Sequence, residues 1–198
     1  MVEPGLWDML LELRSRGISS TRVLEAMEQT PRSRFVDEAQ RNEAYGAGLL
    51  PLPCGQVMLP PLLVAQMLQL AGLTRDTKVL VIGLGSGWLA GVAARIAPRT
   101  FAVERYQQII QVAEASLARC GLSVTTRWGD GHRGWPSQAP FDRILVTGSL
   151  GKWPKALTDQ LAPGGVSVGF LGGSLVRNGE AVLAAVVPPL EVGRSESL

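Results

Sequence analysis

Short apolar runs alternate with segments whose apolar residues recur every three or four positions through the C-terminal two thirds of the chain. The apolar runs, which we predict to be strands, lie at 78–82, 100–104, 123–128, 142–147, 166–171 and 181–187. The segments with helical spacing lie at 88–97, 107–119 and 154–161. This alternation predicts a doubly wound α/β fold with a mostly parallel sheet. The last two runs are joined through a short polar stretch and are expected to be antiparallel neighbours.

The N-terminal third of the chain has a helical pattern instead. Three helices are predicted there, at 4–16, 20–29 and 60–71. Residues 45–60 are rich in Gly, Pro and Leu and carry almost no charge, so we expect this stretch to pack over a binding site. The length suits one domain over 1–198, in which a helical part at 1–75 covers the site and a sheet occupies 76–190.

The first predicted strand runs directly into a glycine-rich turn. The turn and the start of the next helix consist of Gly83, Leu84, Gly85, Ser86, Gly87 and Trp88. Glycines lack a Cβ atom, so the chain can turn sharply and bring its N–H groups close to a ligand at the start of the helix. A dinucleotide-binding G-x-G-x-x-G turn would need its third glycine where Trp88 stands, which disfavours a dehydrogenase. The G-x-G-x-G spacing resembles the S-adenosylmethionine (SAM) loop of class I methyltransferases.

Acidic residues follow the next two predicted strands. Glu104 ends the second strand, roughly 20 residues after the glycine turn, where a carboxylate can hold the hydroxyls of a ribose. Asp130 follows the third strand and is expected to face the same crevice, where it would accept a hydrogen bond from an adenine amino group. Each feature alone also fits an ordinary turn or a solvated strand end, and their combination favours a nucleotide site.

Composition and charge exclude several other functions. The net charge is +2 and the basic residues are scattered, so the basic patch of a nucleic-acid-binding protein is absent. No apolar run approaches the roughly 18 residues that span a bilayer, and Glu3 and Asp8 stand where a signal peptide would be basic. We therefore expect a cytoplasmic protein with no membrane partner. Cys54 and Cys120 stand alone, which predicts neither a disulfide nor a metal site.

Several further motifs occur in the order typical of one enzyme family. They lie at 17–36 (GISSTRVLEAMEQTPRSRFV), 79–88 (VLVIGLGSGW), 103–105 (VER), 129–149 (GDGHRGWPSQAPFDRILVTGS) and 156–165 (ALTDQLAPGG). The chain resembles the protein-L-isoaspartate O-methyltransferases, which methylate isoaspartyl carboxylates in damaged proteins with SAM as cofactor. The resemblance implies a seven-stranded sheet and a protein or peptide substrate. It places the cofactor at Gly83, Gly85, Ser86, Gly87, Glu104, Arg105, Asp130 and Gly131.

The chain departs from this family on the substrate side. Where the family has Thr-Ile-Ser after Gly-Gln, this chain has Val57, Met58 and Leu59, so the hydroxyls that line the substrate end are absent. Leu59 stands at the position of the family's serine. The substrate-binding residues that the resemblance implies are Gln56, Val57, Met58, Leu59 and Trp153.

Three hypotheses for the function remain open. The first is a SAM-dependent carboxyl O-methyltransferase acting on isoaspartyl groups; a carboxylate nucleophile is already ionised at neutral pH and needs no general base. The second is a methyltransferase of the same fold with a different acceptor, such as a small molecule, favoured by residues 57–59. The third is a catalytically degenerate SAM-binding or interaction module, favoured by the same losses and by Val81, where the family commonly has an acid. His132 is expected to be an exposed loop residue, and the sequence does not predict the oligomeric state.

Overall fold

The computed structural model describes residues 3–183, and a mostly parallel sheet lies at their centre. The helices are α1 (Leu6–Ser15), α2 (Thr21–Glu28), α3 (Pro61–Ala71), α4 (Trp88–Ile96), α5 (Gln107–Arg119) and α6 (Lys155–Thr158). The strands are β1 (Leu50–Pro51), β2 (Val57–Met58), β3 (Lys78–Ile82), β4 (Arg99–Glu104), β5 (Thr125–Trp128), β6 (Phe141–Leu150), β7 (Leu161–Leu171), β8 (Ser174–Arg177) and β9 (Glu180–Leu183).

The seven-stranded sheet has the order β5-β4-β3-β6-β7-β8-β9. Strands β3 to β7 run parallel, and β8 and β9 are antiparallel to their neighbours. The chain proceeds from β3 to β4 and β5 on one side and then crosses to β6 on the other side of β3. The point where the order reverses therefore lies between β3 and β6, and ligands bind there in open α/β sheets. The predicted doubly wound fold is confirmed.

Strand β3 is the centre of two hydrophobic cores, one on each face of the sheet. Val79 and Val81 belong to the larger core, whereas Leu80 and Ile82 belong to the smaller one. This division follows from the period of two along a strand. All four side chains are at most 3% exposed, which explains why the strand reads as an uninterrupted apolar run.

Two predictions about the C-terminal half are wrong. The neighbour of β7 is β8 rather than the run at 181–187, because the chain reverses after Leu171 and pairs Ser174–Arg177 back onto β7. The part of that run beyond residue 183 lies outside the described residues. The helix predicted at 154–161 is shorter and contains only Lys155–Thr158. Leu161, which we predicted to end this helix, begins β7 and pairs with Phe141. Strand β7 then bulges before its next pairing, which joins Val166 and Arg143.

The N-terminal helices and the stretch at 45–60 pack on the larger core. Ser20 caps α2, its hydroxyl accepting a hydrogen bond from the Val23 N–H at 3.4 Å. The stretch at 45–60 contains a short antiparallel hairpin, in which β1 pairs with β2. Within residues 3–183, none of the helices combines the length and the apolar character that crossing a membrane requires.

We predict that Leu80→Ala destabilises the protein by about 3 kcal/mol, because Leu80 is fully buried and the smaller side chain leaves a cavity. The same substitution at Leu11, which is 63% exposed on α1, should change the free energy of unfolding by less than about 1 kcal/mol. Urea unfolding of both variants measures this. Equal losses would contradict the placement of β3 at the core.

Candidate active site at the carboxyl end of the sheet

A cavity opens at the point where the strand order reverses. The empty space in it amounts to about 840 Å³ when the open space at its mouth is included. Its wall combines the glycine turn after β3, the ends of β4 and β6, and the hairpin β1–β2. The lining residues that the sequence predicted are Gln56, Val57, Met58, Leu59, Gly83, Gly85, Ser86, Glu104, Arg105 and Gly131.

The glycine turn approaches β6 so closely that a side chain cannot be added at its first position. Gly83 has a φ of +86°, and a Cβ atom built on it would lie 2.3 Å from the Thr147 hydroxyl. That hydroxyl donates a hydrogen bond to the Gly83 carbonyl at 2.9 Å. The turn is therefore held against β6 by a side chain on the opposite side of the crevice, which leaves room for a ligand along its backbone.

Glu104 supplies a buried carboxylate in the cavity wall. Its side chain is 6% exposed, and one carboxylate oxygen accepts hydrogen bonds from the N–H groups of Arg105 (2.7 Å) and Tyr106 (3.1 Å). The other oxygen lies 3.3 Å from the Gly85 N–H. Three backbone donors thus hold the carboxylate between the glycine turn and β4, and it keeps acceptor capacity for the hydroxyls of a ligand.

Asp130 lies beside the cavity but does not line it; its neighbour Gly131 does. The Asp130 carboxylate accepts hydrogen bonds from the His132 N–H (2.9 Å) and contacts the His132 ring nitrogen Nδ1 (3.0 Å). Partial burial acts to raise the pKa of Asp130, but these hydrogen bonds and the charges of His132 and Arg133 outweigh it and lower the pKa. The carboxylate is therefore ionised at neutral pH and is oriented by its own loop.

The hairpin β1–β2 and the residue after it form an apolar part of the wall. Met58 and Leu59 are 4% and 6% exposed, and with Val57 they line the cavity. Two hydroxyls remain in the wall. The Thr147 hydroxyl donates to backbone carbonyls, whereas the Ser86 oxygen accepts from the Trp88 N–H at 3.3 Å and retains its own proton for donation.

Two further residues of the predicted site lie outside the cavity wall. Gly87 faces α5 instead, since a Cβ atom on it would lie 3.1 Å from the Ala113 Cβ. Trp153 packs against the smaller core, with Gly169 beneath its ring. A tryptophan after a strand can face a crevice or cover the core, and only the packing of the loop that follows β6 decides between them.

Several lining residues were not part of the predicted site. Val64, Leu89 and Ile109 reach the cavity from three different helices. Each is a buried apolar residue of a helix, so nothing in the sequence distinguishes it from a residue of the core. Thr147 and Gly148 follow the apolar part of β6, and their place at the carboxyl end of a parallel strand is a signal that could have identified them.

We predict that Gly83→Ala disrupts the site, because the added methyl group would collide with Thr147 and the φ of +86° is unfavourable for alanine. Gly48→Ala is the matched control, since a Cβ atom there meets nothing within 4 Å. Calorimetry should find SAM affinity at least tenfold weaker in the first variant and unchanged in the second. Unaltered SAM binding by Gly83→Ala would contradict the proximity of the turn to the ligand.

Comparison with known proteins identifies the family. The family model of protein-L-isoaspartate(D-aspartate) O-methyltransferases matches residues 7–172. A protein-L-isoaspartate O-methyltransferase of Rhodospirillum rubrum is 47% identical over 162 residues, which cover 81% of this chain and 74% of that protein. One from Xanthobacter autotrophicus is 48% identical over 164 residues, covering 82% of this chain and 75% of that protein.

Solved structures agree on the fold. A protein-L-isoaspartate O-methyltransferase from Plasmodium falciparum, crystallised with S-adenosyl-L-homocysteine, superposes with a TM-score of 0.78 at 17% identity, covering 94% of this chain and 98% of that chain. Another structure of that name has a TM-score of 0.77 at 23% identity, covering 93% and 67%. The family model spans the chain from α1 to β7, and these two sequence relatives exceed 40% identity. The chain therefore belongs to the protein-L-isoaspartate(D-aspartate) O-methyltransferase family of SAM-dependent methyltransferases.

Proposed function

We propose that the protein transfers the methyl group of SAM to isoaspartyl carboxylates of proteins or peptides. The main support for this proposal is a single cavity. The family's buried acid, Glu104, lies in one of its walls, and the segment 56–59 lies in another. Membership of the family supplies the type of reaction. We also propose that the chain forms a single domain. The N-terminal part, which we expected to cover the site, contributes residues 56–59 to the same cavity as the sheet.

The residues present suit a SAM molecule. We propose that the carboxylate of Glu104 accepts hydrogen bonds from the ribose hydroxyls and that the turn at 83–86 lies along the remainder of the donor. Gly131 and Arg105 line the same part of the cavity. Asp130 lies beside it and would reach the adenine amino group only if its loop adjusts. SAM supplies an electrophilic methyl group on a sulfonium centre when it is bound.

The chain itself has to orient the acceptor and exclude water. A carboxylate acceptor is ionised at neutral pH, so no side chain has to remove a proton before the methyl group is transferred. The contribution of the wall is therefore positioning and desolvation. Ser86 is suited to donate a hydrogen bond to an acceptor oxygen, because its hydroxyl proton is not used by the contact with Trp88.

The apolar segment at 57–59 favours a second candidate function, a methyltransferase with a less polar acceptor. The family's hydroxyls at this segment are replaced by side chains that cannot donate a hydrogen bond, and Met58 and Leu59 are buried in the wall. A carboxylate that loses one donor is less well solvated in the site by about 1–3 kcal/mol. An apolar acceptor would instead gain from the contact with these side chains.

We predict that Glu104→Gln lowers SAM affinity by about tenfold to a hundredfold, because a neutral amide accepts weaker hydrogen bonds from the ribose and opposes the three N–H groups around it with its own donors. Glu25→Gln, on the exposed face of α2, is the matched control and should bind SAM normally. Isothermal titration calorimetry measures both. Normal binding by Glu104→Gln would exclude this residue from the ribose site.

The acceptor is tested with labelled SAM and a synthetic isoaspartyl peptide, beside a peptide of the same sequence with normal aspartate. We expect methyl ester on the isoaspartyl peptide only. We also expect Leu59→Ser to raise kcat/KM for this peptide by about fivefold to a hundredfold, because it restores a donor in the wall.

Leu59→Ala is the control for side-chain size, since it enlarges the cavity at this position without adding a hydrogen-bond donor. A gain with serine but not with alanine supports recognition of a carboxylate at this position. If neither the unaltered protein nor Leu59→Ser forms ester while calorimetry still detects SAM binding, isoaspartyl methylation is wrong for this chain and the less polar acceptor takes its place.

A further inference from the structure

Arg32 is a buried cation that the proposed reaction leaves without a role. It begins a short 3₁₀ helix, Arg32–Phe35, and its side chain is 0% exposed. None of its three guanidinium nitrogens has a hydrogen-bond partner among residues 3–183. It also forms no ion pair with a carboxylate of that part of the chain. Burying an unpaired charge is costly, so its presence calls for an explanation.

The contact that Arg32 does make is with the cavity wall. Its Cζ atom lies 4.6 Å from the centre of the Trp88 ring, which is the geometry of a cation–π interaction. Trp88 is 1% exposed, is the first residue of α4 and lines the cavity. Its indole N–H donates to the Thr30 carbonyl at 2.8 Å. The segment 30–32 therefore fixes the position of this tryptophan from behind.

The charge of Arg32 is retained at neutral pH. Desolvation by burial lowers the pKa of Arg32 to about 9, and the opposing effect of Tyr45 is smaller. Burial and a hydrogen bond with Glu3 raise the pKa of Tyr45 to about 12, so its phenol is neutral and is no counter-ion. The Glu3 carboxylate is engaged by the hydroxyls of Ser33 and Tyr45. Arg32 therefore places a positive charge behind the cavity wall, separated from the cavity by the ring of Trp88.

We propose that Arg32 sets, through the positive charge that it holds behind Trp88, the preference of the cavity between the cationic methyl donor and its neutral product. This inference rests on the proposed function, because it requires SAM to occupy the cavity. SAM carries a sulfonium charge, whereas S-adenosylhomocysteine is the corresponding neutral thioether. Arg32 repels the sulfonium and is indifferent to the thioether at the same position. The repulsion disappears when the methyl group leaves the sulfur, so the charge of Arg32 favours methyl transfer over its reversal.

The expected size of the effect follows from Coulomb's law. Two unit charges roughly 10 Å apart at an effective dielectric constant near 20 alter a binding equilibrium on the order of tenfold. Because SAM and S-adenosylhomocysteine share the adenosine and amino-acid parts, the ratio of their affinities isolates the charge. A residue with a merely structural role would change both affinities together and leave their ratio unaltered.

The test is calorimetric titration of both ligands into the whole protein and four variants. Arg32→Met removes the charge and keeps much of the side-chain volume, and Arg32→Gln is a second neutral variant should the first fail to fold. Arg32→Lys keeps the charge, and Arg34→Met removes an exposed arginine from the same 3₁₀ helix. We expect the neutral variants at position 32 to bind SAM about tenfold better relative to S-adenosylhomocysteine. Arg32→Lys should remain within about threefold of the unaltered ratio, and Arg34→Met should match it.

The outcomes separate this inference from the proposed function. An unchanged ratio in both neutral variants, with SAM binding and methylation of the isoaspartyl peptide intact in the unaltered protein, overturns the role of Arg32 alone. An equal shift in Arg34→Met overturns it as well, because the effect would then be one of net charge. If the unaltered protein binds neither ligand, the proposed function itself fails.

Discussion

The burial of strand β3 on both faces is the constraint on which the rest of the structure depends. Its four apolar side chains divide between two cores; helices α1 to α5 complete the larger core, whereas α6 and loop residues such as Trp135 and Trp153 complete the smaller one. The strand can satisfy both only in the middle of a parallel sheet, with β4 on one side and β6 on the other. The chain must therefore reverse its direction of winding next to β3. That reversal opens the crevice at its carboxyl end, where the glycine turn begins.

Backbone N–H groups orient both carboxylates at this crevice. Glu104 is held by three N–H groups, and Asp130 by the N–H and ring of His132. Such an arrangement orients a carboxylate while leaving acceptor capacity for a ligand. Arg32 is the exception, because its guanidinium contacts an aromatic face and has no hydrogen-bond partner among residues 3–183. Within that part of the chain, the site combines hydrogen-bonded anions at its edge with an unpaired cation behind its wall.

The two ends of the cavity differ in character. The glycine turn and the buried acid Glu104 form one end. At the other end, Val57 and Leu59 line the wall at the two positions where the resemblance to the family implies hydroxyls. The proposed function assigns SAM and the acceptor to separate segments, so it allows substitutions at 57–59 to alter the acceptor without disturbing Glu104.

The sequence by itself determined the elements whose signals are local. An apolar run predicts a strand buried on both faces, glycines predict the turn after it, and a serine at position 20 predicts the start of α2, because each depends on backbone geometry within a few residues. Glu104 could be predicted for the same reason, since it ends a strand at a fixed distance from the turn. These local rules were sufficient to locate β3 to β7 along the chain and to predict most of the residues of the glycine turn and of Glu104's loop that line the cavity.

Only the tertiary structure decided which side chains share a surface. Gly87 and Trp153 are close in sequence to residues that line the crevice, yet they pack against α5 and the smaller core, respectively. Val64, Leu89 and Ile109, by contrast, reach the cavity from separate helices. The pairing of β8 with β7 and the burial of Arg32 against Trp88 depend in the same way on segments far apart in the chain. Packing is a sum of many weak contacts between such segments, and no single residue carries a signal for it.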